Sequence, residues 1–136
     1  MTCYNLVDFD EGSVKKILLV DDEVEFTRVL EMSLRKAGYD VEQVPNGLEG
    51  LERARSGRPD LIVLDLRLPT LDGHTVCQML KADQAYRHIP IIMLTASREQ
   101  EDQEWAARTG ADLYMTKPCR LQELKDAISR LLTAAA

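Results

Sequence analysis

Four fragments of this 136-residue chain carry side chains able to do chemistry together, and each follows a short apolar run. Asp21-Asp22 follows Lys16-Ile17-Leu18-Leu19-Val20, Asp65 follows Leu61-Ile62-Val63-Leu64, Thr95 follows Ile91-Ile92-Met93-Leu94, and Lys117 follows Leu113-Tyr114-Met115-Thr116. Three carboxylates a few ångströms apart cannot all stay ionised without a cation, because like charges raise one another's pKa. Lys117 supplies one positive charge and a divalent ion the rest. No His or Cys stands at these positions, and an oxygen-only donor set suits a hard ion such as Mg²⁺. Mg²⁺ takes few protein ligands and favours phosphate oxygens, which points to phosphoryl chemistry. An aspartate can itself be phosphorylated as a covalent nucleophile, and Asp65 is the candidate. The Thr95 hydroxyl then bonds one phosphoryl oxygen and Lys117 neutralises another. Asp22 and Asp65 hold the metal, with Asp21 acting through water.

These residues work only if the fold gathers them. The run 61–64 is apolar at every position, as expected of a strand buried on both faces rather than on one. Similar runs at 16–20, 91–94 and 113–115, with a weaker one around Val41 and Val44, make five strands. Helical spacing separates them. Phe26, Val29, Leu30 and Leu34 mark a helix from Glu23 to Ala37, closed by Gly38. Asn46 caps a second helix carrying Leu48, Leu51 and Ala54, which gives way at Ser56-Gly57-Arg58-Pro59. A third runs from about His74 to Ala82, and a fourth near Glu99 to Ala107 carries Trp105. Leu121, Leu124, Ile128 and Leu131 or Leu132 mark the last and clearest amphipathic helix. Strands alternating with helices predict an α/β fold, a doubly wound five-stranded parallel sheet with right-handed crossovers. In such a sheet the carboxyl ends of the strands line the ligand crevice, where Asp21, Asp22, Asp65, Thr95 and Lys117 all fall. Residues 1–15, with acids Asp8, Asp10 and Glu11, read as a flexible leader, 16–132 as the domain, and 133–136 as a short tail.

The chain resembles the receiver domains of two-component response regulators over about residues 16–132. The resemblance rests on Val20-Asp21-Asp22, Leu64-Asp65 with Pro69 and Asp72-Gly73 behind it, Leu94-Thr95-Ala96, and Lys117-Pro118. Each fragment is weak alone, but their order at successive strand ends is highly specific. The resemblance implies a flavodoxin-like (βα)5 receiver that takes a phosphoryl group from a histidine kinase or phosphotransfer protein onto Asp65. It also implies that the Arg67 main-chain carbonyl completes the Mg²⁺ shell, that Lys117-Pro118 is cis, and that Tyr114 is the aromatic switch. Thr95 then moves toward the phosphoryl oxygens, Tyr114 enters the vacated space, and the surface of the fourth helix, fifth strand and fifth helix changes. That surface controls a downstream effector or output domain, and a phosphorylation-dependent homodimer is open to such a chain. Cys119 stands where the family commonly has phenylalanine, so looser packing is expected there. Arg67 and Ser97 flank the path of attacking water, and the Arg67 side chain is expected to tune hydrolysis.

Composition narrows the alternatives. A net charge of -6 and a pI near 4.9 argue against binding nucleic acid or an anionic membrane by charge alone. No apolar run approaches a membrane span, and three scattered cysteines, Cys3, Cys77 and Cys119, suit a reducing compartment, so a cytoplasmic location is expected. His74 and His88 read as surface or helix-start residues. The rival reading is a Mg²⁺-dependent phosphohydrolase with an aspartyl-phosphate intermediate. That chemistry typically needs a second acid two residues beyond the nucleophile for the leaving group, and here the position is Arg67. A flavodoxin-type carrier fits less well, since acids rather than a Gly/Ser/Thr-rich loop follow the first strand. A signalling switch rather than a turnover enzyme is therefore expected.

Overall fold

A computed structural model describes residues 14–95, 104, 108 and 110–135. The chain runs β1 (Lys16–Val20), α1 (Val24–Lys36), β2 (Asp40–Val44), α2 (Gly47–Gly57), β3 (Leu61–Asp65), α3 (Gly73–Ala82), β4 (Ile91–Thr95), β5 (Leu113–Thr116) and α4 (Leu121–Ala135). All neighbouring strands are parallel, in the order β2-β1-β3-β4-β5. The chain steps outward from β1 to β2 and then returns past β1 to build the other side. The crevice at this reversal opens between the carboxyl ends of β1 and β3.

Strand alternation splits the core in two. Leu18, Val20, Ile62, Leu64, Ile91 and Met93 face α2 and α3, meeting Leu51, Ala54, Val76, Cys77 and Leu80. Ile17, Leu19, Leu61, Val63, Ile92 and Leu94 face α1 and α4, meeting Leu30, Leu34, Leu124 and Ile128. Every residue of β3 and β4 is buried, as the unbroken apolar runs require.

Helix ends follow local chemistry. The Asn46 side chain accepts from Glu49 N–H at 2.9 Å, and Asp72 accepts from Thr75 N–H at 2.8 Å, each satisfying an orphan donor of a first turn. Gly38 turns the chain after α1 at φ 103°, a conformation open to glycine. At the lower end of α3, Lys81 Nζ donates to the carbonyls of Arg87 and Ile89 and pairs with Asp112 at 2.7 Å. Asp112 also accepts from Ile91 N–H, so one ion pair ties α3 to the starts of β4 and β5.

Two expectations need correction. The last helix runs through Ala135, so residues 133–135 extend α4 rather than form a tail, and Thr133 Oγ1 donates to the Ser129 carbonyl within it. Alanine is the best helix former, and nothing before Ala135 breaks the pattern. His74 does start a helix but is buried, not a surface residue, because Gly73 draws the first turn of α3 against the end of β3. All of the expected fourth helix but Glu104, which is helical, lies outside the described residues, as do Trp105, Ala96, Ser97, Cys3 and nearly all of the leader. Among the described residues no helix is long and apolar enough to cross a membrane.

Candidate functional site

The acids and the lysine foreseen at strand ends meet at one rim. One oxygen from each of Asp21, Asp22 and Asp65 lies within 4.8 Å of the others. Asp21 and Asp65 are buried and Asp22 is exposed. Each is placed by main chain. Asp21 N–H donates to the Val44 carbonyl at 3.2 Å, continuing the β1–β2 ladder one residue past its end. Asp65 ends β3 opposite Leu94, and Leu66 N–H donates to the Leu94 carbonyl at 2.8 Å. Gly73 N–H then bonds the Leu66 carbonyl at 2.7 Å, and a Cβ on Gly73 would stand 2.3 Å from the Asp65 carbonyl oxygen. Only glycine permits that approach, so the Asp72-Gly73 pair shapes the loop behind Asp65.

Lys117 reaches the site from beyond β5. Its N–H donates to the Thr95 carbonyl at 2.6 Å, and the Lys117-Pro118 bond is cis, as the resemblance implied. Its ammonium pairs with Asp21 Oδ2 at 2.6 Å and with the Glu23 carboxylate, stands 3.9 Å from Asp65 Oδ2, and lies 4.7 Å from the Phe26 ring centroid. Burial alone would lower its pKa, but hydrogen bonds to Asp21 and Glu23, with the Asp65 charge, hold it above the ordinary lysine value. Asp65 moves the other way from a usual carboxylate. Burial first, then the charge of Asp21, pushes its carboxyl up to about 7 against the pull of Lys117, with Asp22 adding to the rise.

Thr95 is fully buried at the end of β4, paired in register with Thr116. Tyr114 is half-buried and packs against the α2/α3 side of the core. Arg67 is exposed, two residues past Asp65. His88 is exposed. Cys119 is half-buried, and open depressions of about 330 and 370 Å³ share Phe26 and Cys119 in their walls.

Sequence reading gave Glu23 no role beyond starting a helix, yet it is a partner of Lys117 and its N–H donates to Asp21 Oδ1 at 2.9 Å. The run Asp21-Asp22-Glu23 was the available signal. Phe26, a core position of α1 by its spacing, also lies under the Lys117 ammonium. Gathered carboxylates, one of them driven to about 7 by burial and a neighbouring acid, with oxygen as the donor type throughout, fit a small divalent cation such as Mg²⁺.

The family model described as "Response regulator receiver domain" matches residues 17–129. The chain is 41% identical over 117 residues to the DNA-binding dual master transcriptional regulator RpaA of Synechocystis sp., covering 86% of this chain and 48% of that protein. It is 43% identical over 118 residues to the alkaline phosphatase synthesis transcriptional regulatory protein PhoP of Bacillus subtilis, covering 87% and 48%. The chain thus spans about half the length of these curated relatives. It also matches a crystal structure of the receiver domain of sensor histidine kinase PA1611 from Pseudomonas aeruginosa, with a magnesium ion coordinated in the active-site cleft. That likeness has a TM-score of 0.82 at 36% identity, over 89% of this chain and 99% of that one. Motif order, a 2-1-3-4-5 sheet and these likenesses agree: the chain belongs to the response regulator receiver domain family, the phosphoacceptor switches of two-component signalling.

Proposed function

We propose that Asp65 is the residue that accepts the phosphoryl group, from a histidine kinase or phosphotransfer protein, with Asp21, Asp22, Asp65 and the Arg67 carbonyl holding Mg²⁺. The observation that carries this reading is the gathering of three carboxylates within 4.8 Å with Lys117 standing 3.9 Å from Asp65. Support for the metal comes from the same donor set and from the magnesium in the Pseudomonas receiver. When bound, Mg²⁺ neutralises the acids and the oxygens of the incoming phosphoryl group.

The chain's own residues do the rest. An Asp65 carboxylate oxygen attacks the phosphorus of the donor imidazole phosphate. The O–P bond forms as the N–P bond breaks, and the electron pair returns to the ring nitrogen, which takes a proton from water. Lys117 neutralises one phosphoryl oxygen and the Thr95 hydroxyl donates to another, so catalysis is largely positioning and charge neutralisation. Water later attacks the acyl phosphate, regenerating Asp65 and releasing inorganic phosphate. The Arg67 side chain lies over the phosphoryl group and tunes that step. Self-phosphorylation and slow dephosphorylation are thus the whole of its catalysis. No second acid stands two residues past Asp65, which disfavours a turnover phosphohydrolase.

Phosphorylation adds nearly two negative charges and three acceptor oxygens. Thr95 is drawn toward them and Tyr114 moves inward, changing the surface that controls an effector or output domain. Residues 16–132 are the receiver unit, acting in the cytoplasm. Curated relatives about twice as long are transcriptional regulators, and any DNA-binding output here would require residues other than these, which carry net charge -6. The test is incubation with acetyl phosphate and Mg²⁺ followed by intact mass. One phosphoryl group added to wild type and none to Asp65→Asn is expected. Uptake in the Asn variant, or rapid multiple turnover of small phosphate esters by wild type, would overturn the reading.

A further inference from the structure

The loop from Leu66 to Asp72 is held at both ends by main chain, Leu66 to Leu94 and Gly73 to Leu66. Its middle is held from outside, by the first turn of α2. Gly47 N–H donates to the Pro69 carbonyl at 3.1 Å, and Leu48 N–H donates to Thr70 Oγ1 at 3.0 Å. The Thr70 hydroxyl in turn donates to Asn46 Oδ1 at 3.2 Å, the same oxygen that caps α2. One side chain therefore takes an orphan donor of the helix and joins its cap.

Thr70 does this from an unfavourable backbone. Its φ is 69°, in the left-handed region, where a β-branched side chain is an outlier. Glycine or asparagine would sit there with less strain. What threonine adds is the hydroxyl and its two bonds. Strained residues persist where their surroundings over-determine them, and such sites cluster around function. Here the strained residue lies three positions past Arg67 and five past Asp65.

We propose that Thr70 is a positioning residue for the chemistry at Asp65: its hydroxyl latches the loop bearing the Arg67 carbonyl to α2. This rests on the reading of Asp21, Asp22, Asp65 and Arg67 as the Mg²⁺ shell. With the latch intact the loop has one arrangement and the carbonyl one direction. Without it the Gly47–Pro69 hydrogen bond and the packing of Leu68 and Leu71 remain, but the hydrogen bonds from Thr70 to α2 are gone, and the carbonyl samples several directions.

The test compares wild type with Thr70→Ser, Thr70→Val and Thr70→Gly. Calorimetric titration gives Mg²⁺ affinity, amide hydrogen exchange in metal-free protein reports Leu48, and thermal unfolding reports stability. Val and Gly should weaken Mg²⁺ binding about 3- to 10-fold, less than the loss of a group bonded directly to a ligand. Ser should stay within about twofold of wild type. The Leu48 amide should exchange about tenfold faster in Val and Gly but not in Ser. The Gly variant should unfold no earlier than wild type, since strain relief offsets the lost bonds, so affinity falls while stability does not. Unchanged Mg²⁺ affinity in Val and Gly, beside a wild type that binds, overturns the latch alone. A wild type that binds no Mg²⁺ overturns the metal shell and the latch with it.

Discussion

Lys117 Nζ lies 2.6 Å from Asp21 but 3.9 Å from Asp65, so the ammonium bonds one acid and only faces the other. The longer gap exceeds a hydrogen bond yet leaves a strong Coulombic pull. Asp21 and Glu23 thus hold the lysine off the proposed nucleophile, at a distance where it can meet a phosphoryl oxygen. Burial first, and then the charge of Asp21, keeps the Asp65 affinity for protons raised against the remaining pull of Lys117.

The burial of Asp65 beside Asp21 sets a pH dependence. Asp65 is pushed up to about 7 when folded, above the ordinary carboxylate range, so the folded state keeps a proton that the unfolded state releases. The stabilising contribution is full below the unfolded value and is lost as pH rises through about 7. Asp65→Asn should therefore unfold later than wild type at about pH 8.5, by on the order of 2 kcal/mol once solvent screening and the lost attraction of Lys117 are discounted, with little difference near pH 4. Mg²⁺ should raise wild-type stability at the higher pH and raise that of the Asn variant much less. Denaturant titration at three pH values measures this.

Removing the ammonium should be more damaging. Lys117→Met leaves Asp21 buried without its charge partner and exposes Asp65 to it, for an expected loss of about 3–5 kcal/mol at about pH 8. The loss should shrink at lower pH as Asp65 takes up a proton. Glu23 is 60% exposed, so Glu23→Gln should change stability by less than about 1 kcal/mol. Equal losses in the two variants would contradict the assignment of Asp21 as the principal partner.

Glycine positions separate by what a methyl group would meet. At Gly47 it would stand 1.8 Å from the Leu71 carbonyl oxygen, and at Gly73, 2.3 Å from that of Asp65. Backbone cannot yield cheaply, so Gly47→Ala and Gly73→Ala should each cost on the order of 3 kcal/mol or more. Gly57 ends α2 with nothing nearer than 3.9 Å, and Gly57→Ala should be neutral or stabilise by up to about 1 kcal/mol. Melting temperatures of the three variants give the order.

Thr95 and Tyr114 lie on adjacent strands, one fully buried and one half-buried. Thr95→Ala should still take up a phosphoryl group on Asp65, by intact mass, because the carboxylates and Lys117 remain. It should not transmit the event. Fluorine resonances of labelled tyrosine should shift on phosphorylation in wild type and stay in place in the variant. A full shift in Thr95→Ala would remove the hydroxyl from the switch.

Much of this molecule was legible in one dimension. Strands β1, β3 and β4 are apolar at nearly every position because helices cover both their faces, and a run of that kind reads without a template. Asn46 and Gly38 marked helix ends through side-chain and backbone chemistry that acts within a few residues. Asp21, Asp22, Asp65, Thr95 and Lys117 were foreseen because a parallel sheet brings its carboxyl ends to one rim whatever lies between. The burial of His74 was not foreseen, since it depends on how closely α3 is drawn onto β3 through Gly73. Nor was the helical end of the chain, where alanine after an amphipathic pattern looked like a stop.

What the sequence determined by itself was which residues stand at strand ends, since alternation and apolar runs are local properties. Only the tertiary structure decided how those residues share their charges. Lys117 has three acids and a ring within reach, and its preference for Asp21 and Glu23 over Asp65 follows from distances across elements far apart in the chain. The same holds for Thr70 and the first turn of α2. Hydrogen bonds and ion pairs depend on a few tenths of an ångström, and that precision arises only when the packed core fixes the strands against one another.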